Sequence, residues 1–230
     1  MKRLLLAAVL TVALAVQAYA GETGIYGGIK IMDSYQSTGD ISTSGTAGLF
    51  DTKSYSQNTL GGGIFLGYDF YKANNTPLRA EIEYAMRSSV NTDYDLKHKN
   101  AGVNGATLKA EYNMHTIFAN VYYDFHNDSQ FTPYVGGGLG LAIINSKYEG
   151  EASFAGGNYS DSFNQSQTAF AYNLGLGCSY DLTDVITADV GYRFVGTSYH
   201  ETDKSIGGNK IKLGMSNYAN EFSLGLRFNF

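Results

Sequence analysis

Residues Pro133 to Ile143 read PYVGGGLGLAI. Val135, Leu139, Leu141 and Ile143 share one parity, which is the period of an extended strand. On the other parity stand Gly136, Gly138, Gly140 and Ala142. Glycine inside a strand removes packing surface and weakens the strand. Such a strand has one apolar face and leaves empty space behind the other. Gly61, Gly63 and Gly67 repeat the pattern, as do Gly175 and Gly177 with Ala169 and Ala171.

Outward from this stretch, the two-residue period recurs in eight segments, at about 23–33, 59–71, 78–90, 108–125, 132–145, 167–181, 184–197 and 211–230. The third sets Leu78, Ala80, Ile82, Tyr84 and Met86 against Arg79, Glu81, Glu83, Ala85 and Arg87. The fourth sets Ile117, Ala119, Val121 and Tyr123 against Thr116, Phe118, Asn120, Tyr122 and Asp124. The seventh sets Ile186, Ala188, Val190, Tyr192 and Phe194 against Thr187, Asp189, Gly191 and Arg193, and the last sets Phe222, Leu224, Leu226, Phe228 and Phe230 against Glu221, Ser223, Gly225 and Arg227. Connections alternate between long and short. The long ones, about 34–58, 91–107, 146–166 and 198–210, are rich in Ser, Thr, Gly, Asn and Asp. In an up-and-down sheet they fall at one end, the plan of a bacterial outer-membrane barrel. The expected fold is all-β: an eight-stranded antiparallel up-and-down transmembrane β-barrel with four long extracellular loops and three short periplasmic turns.

A soluble eight-stranded barrel that encloses an apolar ligand shows the same alternation with its faces reversed. The polar parity is too sparse to be a wet exterior, because on three segments it is mostly Gly and Ala. The apolar parity repeats Ile, Leu, Tyr and Phe around all eight segments, and Tyr68, Phe70, Tyr123, Phe125, Tyr180 and Phe228 fall near strand ends, where aromatic girdles meet the membrane interface. The apolar side therefore faces lipid. An eight-stranded interior is just wide enough for side chains to fill. Lys30, Asp69, Arg79, Glu81, Glu83, Arg87, Asp124, Asp189, Arg193, Glu221 and Arg227 are expected to form a mixed-sign ionic network there, with inward glycines making room.

The first residues, MKRLLLAAVLTVALAVQAYA, combine Lys2 and Arg3 with an apolar run and the small pair Ala18 and Ala20. That is the pattern of a cleaved secretory signal peptide over residues 1–20, leaving residues 21–230 as the barrel domain. The apolar run falls short of the ~20 residues that a spanning helix needs. Without Lys2 and Arg3 the chain keeps 14 basic against 21 acidic residues, a charge that argues against nucleic-acid partners. Cys178 is the only cysteine, so an internal disulfide is excluded. With 28 Gly, 19 Tyr, 13 Phe and only two Pro, the composition suits extended strands.

The strand FANVYYDF followed by TPYVGGGLGLA, the segment AYNLGLGCSYDLT and the terminal FSLGLRFNF resemble the opacity-type, porin-like family of small outer-membrane β-barrels. The resemblance implies residence in the bacterial outer membrane with periplasmic termini and extracellular loops. The implied partners are outer-membrane lipid and lipopolysaccharide, the barrel-assembly machinery, and host or matrix ligands reached through the loops. It also implies that Phe228 and Phe230 form the C-terminal signal read by that machinery. Family members are surface antigens, adhesins or structural proteins, and the resemblance implies no catalytic residues.

Residues with chemical potential do not assemble into a catalytic or metal motif. His126 lies in the turn HNDSQ, and adjacent turn residues do not form a triad. His115 sits on the lipid-facing parity near the outer end of its strand without a nearby serine partner. His98 and His200 lie in loops among charged residues. Asn91, Asp93 and Asp95 space oxygens as a calcium loop begins, but Leu96 and Gly102 stand where such a loop needs Gly and Glu. The glycine runs lack the phosphate-loop pattern. The expectation is a non-enzymatic surface protein with no cofactor, metal or catalytic residue, serving adhesion, antigenicity or envelope integrity. A narrow channel or small-molecule conduit is the alternative, and a lipid-modifying enzyme the third.

Overall fold

A computed structural model describes residues 23–44, 56–95, 103–154, 157–206 and 209–230. Its strands are β1 (Ile25–Ser44), β2 (Ser56–Asp69), β3 (Leu78–Arg87), β4 (Val90–Asp95), β5 (Val103–Asp124), β6 (Phe131–Phe154), β7 (Gly157–Asp181), β8 (Ile186–Thr197), β9 (His200–Ile206) and β10 (Asn209–Asn229). A short helix, α1 (Phe70–Asn74), lies between β2 and β3. All pairings are antiparallel, in the order β1-β2-β3-β5-β6-β7-β8-β10, and β10 returns to β1. Eight strands thus close a barrel, which leaves no sheet edge inside a bilayer. The expected leader, residues 1–20, lies outside the described residues.

The barrel is built inside-out. Ile82 and Leu174 are 67% and 71% exposed, whereas Glu83 and Glu221 are fully buried. At the level of the apolar band the described side chains obey the parity read from sequence, because a strand presents alternate side chains to opposite faces. The terminal end is sealed by Phe230 N–H donating to the Ile25 carbonyl and Thr23 Oγ1 donating to the Phe230 carbonyl. Tight turns join strands there. In α1, the Asp69 carboxylate accepts from Tyr71 N–H, and Asn75 adopts the left-handed conformation at φ 56° to end the helix.

At the opposite end the strands run much farther than the hydrophobic alternation indicates. Most of the stretch expected as a loop at 146–166 is strand in β6 and β7, whose register runs unbroken from Phe131↔Tyr180 to Phe154↔Gly157. The ladders of β1 with β10, of β5 with β6 and of β9 with β10 likewise extend into the segments expected as loops at 34–58, 91–107 and 198–210 respectively. Asn91 to Asp95, the calcium-like stretch, is strand β4. The two-residue period fades in these segments, which are rich in Ser, Thr, Asn and Gly. Backbone pairing continues regardless.

Two ladders break there. Ser88 N–H donates to the Leu60 carbonyl at 2.8 Å, and beyond it β4 pairs with β5 alone. Ser198 N–H donates to the Phe170 carbonyl at 2.8 Å, and beyond it β9 pairs with β10 alone. Among the described residues no ladder joins β2 to β4 or β7 to β9. Above these two points the barrel wall divides into two four-stranded walls, β4-β5-β6-β7 and β9-β10-β1-β2.

Candidate functional site: a closed lumen beneath two open walls

The lumen brings ten of the eleven expected ionic residues together. Glu83 on β3 pairs with Lys30 on β1 and with Arg193 on β8, the latter at 2.8 Å. Because β3 and β8 stand four strands apart in a ring of eight, the Arg193–Glu83 bridge crosses the barrel from wall to wall. Arg193 also reaches Glu221 at 2.7 Å, and Glu221 holds Arg87 at 2.5 Å and accepts from Ser34 Oγ at 3.0 Å. Nearer the termini, Arg79 makes two hydrogen bonds to Asp124, at 2.6 and 3.0 Å. Arg227 lies 3.9 Å from Asp189, which accepts from Ser179 Oγ at 2.6 Å. Glu81 meets the Tyr26 and Tyr122 hydroxyls, each at 3.4 Å. The ten comprise five cations and five carboxylates, so the buried set is formally neutral. Asp69 stands apart. It is the last residue of β2, opposite Arg79 in the register, and its carboxylate is engaged in capping α1.

Aromatic rings complete the filling, and these were not singled out from sequence. The Arg79 guanidinium lies 5.0 Å from the Tyr122 ring, 5.1 Å from Tyr134 and 5.9 Å from Tyr26. Stacked aromatic faces stabilise a desolvated guanidinium. Three of the inward glycines make room for these rings. A Cβ at Gly136 would meet the Tyr122 ring, one at Gly177 the Tyr134 ring, and one at Gly67 the Tyr26 ring. The clue in sequence was the small parity of β6 and β7 beside Tyr122 and Tyr134.

Above the ionic layer lies a second, apolar layer of Met114, Phe118, Ala142, Ile144, Ala171, Val195 and Ala219. A cavity of about 40 Å³, lined by Lys30, Glu81, Tyr122, Tyr134, Asp189 and Ser223 among others, holds water-sized space and nothing larger. The described lumen is plugged twice.

Outside, aromatic pairs ring the apolar band. Tyr68–Phe70, Tyr123–Phe125 and Phe131–Tyr180 have centroids 4.9, 5.0 and 4.7 Å apart at the terminal end. Toward the other end, His115 Nδ1 lies 2.8 Å from the Tyr84 hydroxyl, so this histidine belongs to the interfacial belt. His126 stacks on Tyr71 at 3.7 Å in the turns. His98 lies outside the described residues. Above the belt the outer surface turns polar. Glu111, Asn113, Asn145, Lys147, Asn164 and Ser166 line an open cleft of about 520 Å³ across β5, β6 and β7. There Asn145 Nδ2 donates to Asn113 Oδ1 at 3.1 Å, and Lys147 pairs with Glu149 at 2.6 Å in water.

Residues 4–230 match the family described as "Outer membrane protein beta-barrel domain". The chain belongs to this family. It is a bacterial outer-membrane β-barrel with periplasmic termini, and the two walls stand on the extracellular side. Among curated proteins it is 28% identical over 191 residues to outer membrane protein PagN of Salmonella typhimurium, covering 76% of this chain and 74% of that one. It is 31% identical over 131 residues to a protein of Rickettsia conorii named "Putative adhesin", covering 54% of this chain and 51% of the other. The outer membrane protein OprG from Pseudomonas aeruginosa shares the fold, with a TM-score of 0.53 at 18% identity over 91% of this barrel and 98% of that one.

Proposed function

We propose that this barrel is a surface adhesion protein: a sealed membrane anchor whose extracellular walls bind host or matrix ligands. The observation that carries the reading is the Arg193–Glu83 bridge across the lumen, under a wall whose outer face across β5, β6 and β7 is polar and open. A barrel filled in this way offers no water path for a solute, which speaks against the channel reading. The "Putative adhesin" name of the Rickettsia conorii relative supports the same function. The protein acts by binding and not by catalysis. The ionic network serves as structural filling. Residues 1–20 serve export, and Phe228 and Phe230 serve recognition by the assembly machinery, with outer-membrane lipid and lipopolysaccharide around the apolar band.

The test is display on a non-adherent bacterium. Cells carrying the intact protein are expected to adhere to epithelial monolayers or matrix-coated surfaces. Cells carrying a version with residues 146–166 replaced by a short Gly–Asn turn are expected to lose adhesion while the barrel keeps its heat-modifiable gel mobility. Large, stable conductance of the intact protein in planar bilayers, with no adhesion, overturns the reading in favour of a porin.

A further inference from the structure

Among the described residues, the division of the wall leaves the upper edge of β7 unpaired. The Phe170 carbonyl points toward β8, where it accepts from Ser198 N–H. N–H and C=O groups of alternate residues in a strand point to the same side. The unbroken β6–β7 register carries that alternation upward without a bulge. The peptide groups of Thr168, Ser166, Asn164, Ser162, Ser160 and Asn158 therefore face the gap between the walls. The odd-numbered residues between them pair with β6. This edge is about 35 Å long at ~3.3 Å per residue. The matching free edge of β2 is short, because only Asn58 and Ser56 lie beyond Leu60 on its parity.

Natural proteins blunt such edges with proline, lysine, a bulge or a covering segment. Gly157 to Ala169 contains no Pro, Lys or Arg, and Ser160, Ser162, Asn164, Ser166 and Thr168 are exposed. The wall it belongs to is also acidic. Above the branch points, β4 and residues 103–113, 145–154 and 157–168 carry six Asp or Glu against two Lys by sequence. In the facing wall, β9 and residues 36–44, 56–60 and 209–216 carry three acidic and three basic residues. An edge of alternating donors and acceptors matches a polypeptide backbone. With Lys97 and Lys99 of the connection between β4 and β5 counted, this wall carries a net charge of −2, which favours a cationic polypeptide over nucleic acid and anionic polysaccharide.

We propose that the free edge of β7, Asn158 to Thr168, docks an extended lysine- or arginine-rich segment of a partner protein, which adds to the acidic wall as a fifth strand. The inference rests on the adhesion reading and names its partner chemistry. The full-length barrel in lipid nanodiscs is titrated with a labelled peptide of about 12 residues alternating Lys and Thr. Controls are a Glu–Thr peptide and a Lys–Thr peptide interrupted by proline. The decisive variant is Ser162→Pro with Ser166→Pro. Proline removes two N–H groups on the free edge and leaves the β6 ladder intact, as edge strands tolerate. Affinity for the Lys–Thr peptide is expected to fall about tenfold or more, since main-chain bonds supply the affinity in strand addition. Asn164→Lys, which places a charge on the edge, is expected to weaken binding as well and serves if the proline variant fails to show heat-modifiable mobility. Glu111→Gln with Glu149→Gln is expected to weaken binding about two- to threefold, with a shallower salt dependence.

Equal binding by the edge variants, or equal binding of the Glu–Thr peptide, overturns the proposal. A concentration-dependent dimer abolished by the proline pair also overturns it, because the edge then serves a second copy of this chain. Displayed on cells, wild-type adhesion with undiminished adhesion by the edge variants sinks the edge and spares the adhesion reading. Peptide binding without adhesion does the reverse.

Discussion

The lumen and the extracellular walls are built from the same strands yet obey opposite rules. Inside the membrane-level barrel the charged groups are largely enclosed and depend on one another for partners. Arg193 touches Glu83 and Glu221, and Glu221 in turn holds Arg87 and Ser34. Above Ser88 and Ser198, among the described residues, two ladders are absent and the outer face carries exposed ion pairs such as Lys147–Glu149. Enclosure makes each lumen residue dependent on several others, whereas water screens exposed wall pairs such as Lys147–Glu149. Anchorage and recognition can therefore change independently: the walls tolerate new side chains that the lumen would reject.

The largest expected departure from that picture comes from the lumen. Arg193→Leu should destabilise the barrel by about 3–5 kcal/mol, because Glu83 and Glu221 lose a shared buried partner. Urea unfolding from lipid vesicles measures it. Lys147→Leu, at the exposed pair, should leave the unfolding midpoint unchanged. An inverted ranking would mean that the enclosed and open regions have been assigned the wrong way round.

Packing should show a similar contrast at smaller size. A Cβ at Gly138 would strike the Asn120 side chain and lie 2.7 Å from the Ala119 carbonyl. Gly138→Ala should therefore cost about 1–3 kcal/mol by overpacking. On the lipid-facing parity, a Cβ at Gly62 meets only the Lys30 carbonyl, at 3.6 Å. Gly62→Ala should be close to neutral in the same unfolding assay.

Amide hydrogen exchange tests the wall division directly. Even-numbered amides from Asn158 to Thr168 should exchange fast, and the odd-numbered amides between them slowly, since only the latter pair with β6. Uniform protection along β7 would mean that its edge is covered.

The smallest effect is electrostatic. The hydrogen bond from Lys147 holds the Glu149 carboxyl below the usual carboxylate range, and the same bond raises the Lys147 ammonium. The pair's contribution is present at neutral pH. It is lost as pH falls through the lowered Glu149 value or rises through the raised Lys147 value. Both groups are fully exposed, so solvent screens the pair and the unfolding midpoint should not move. NMR titration of the Glu149 carboxyl should show the depression, and Lys147→Ala should abolish it.

The sequence by itself determined the eight-strand barrel, the lipid-facing parity and the ionic inventory of the lumen. Inside a membrane each residue must match one of two incompatible solvents, so the period of two is written plainly into residues such as Leu78 to Arg87. It also exposed the small parity of β6 and β7, without saying that tyrosine rings from neighbouring strands would occupy the space. The partners of Arg193 lie on strands 110 and 28 residues away, and only closure of the barrel decided that it would bridge to Glu83 and Glu221. The same holds for Asp69, whose parity allows a lumen position but whose place at the end of β2 makes it a helix cap. The extent of the walls and their separation were decided by tertiary structure alone. Backbone pairing there proceeds without an alternating pattern, and the break in a ladder depends on which strand edge lies alongside, which no local pattern records.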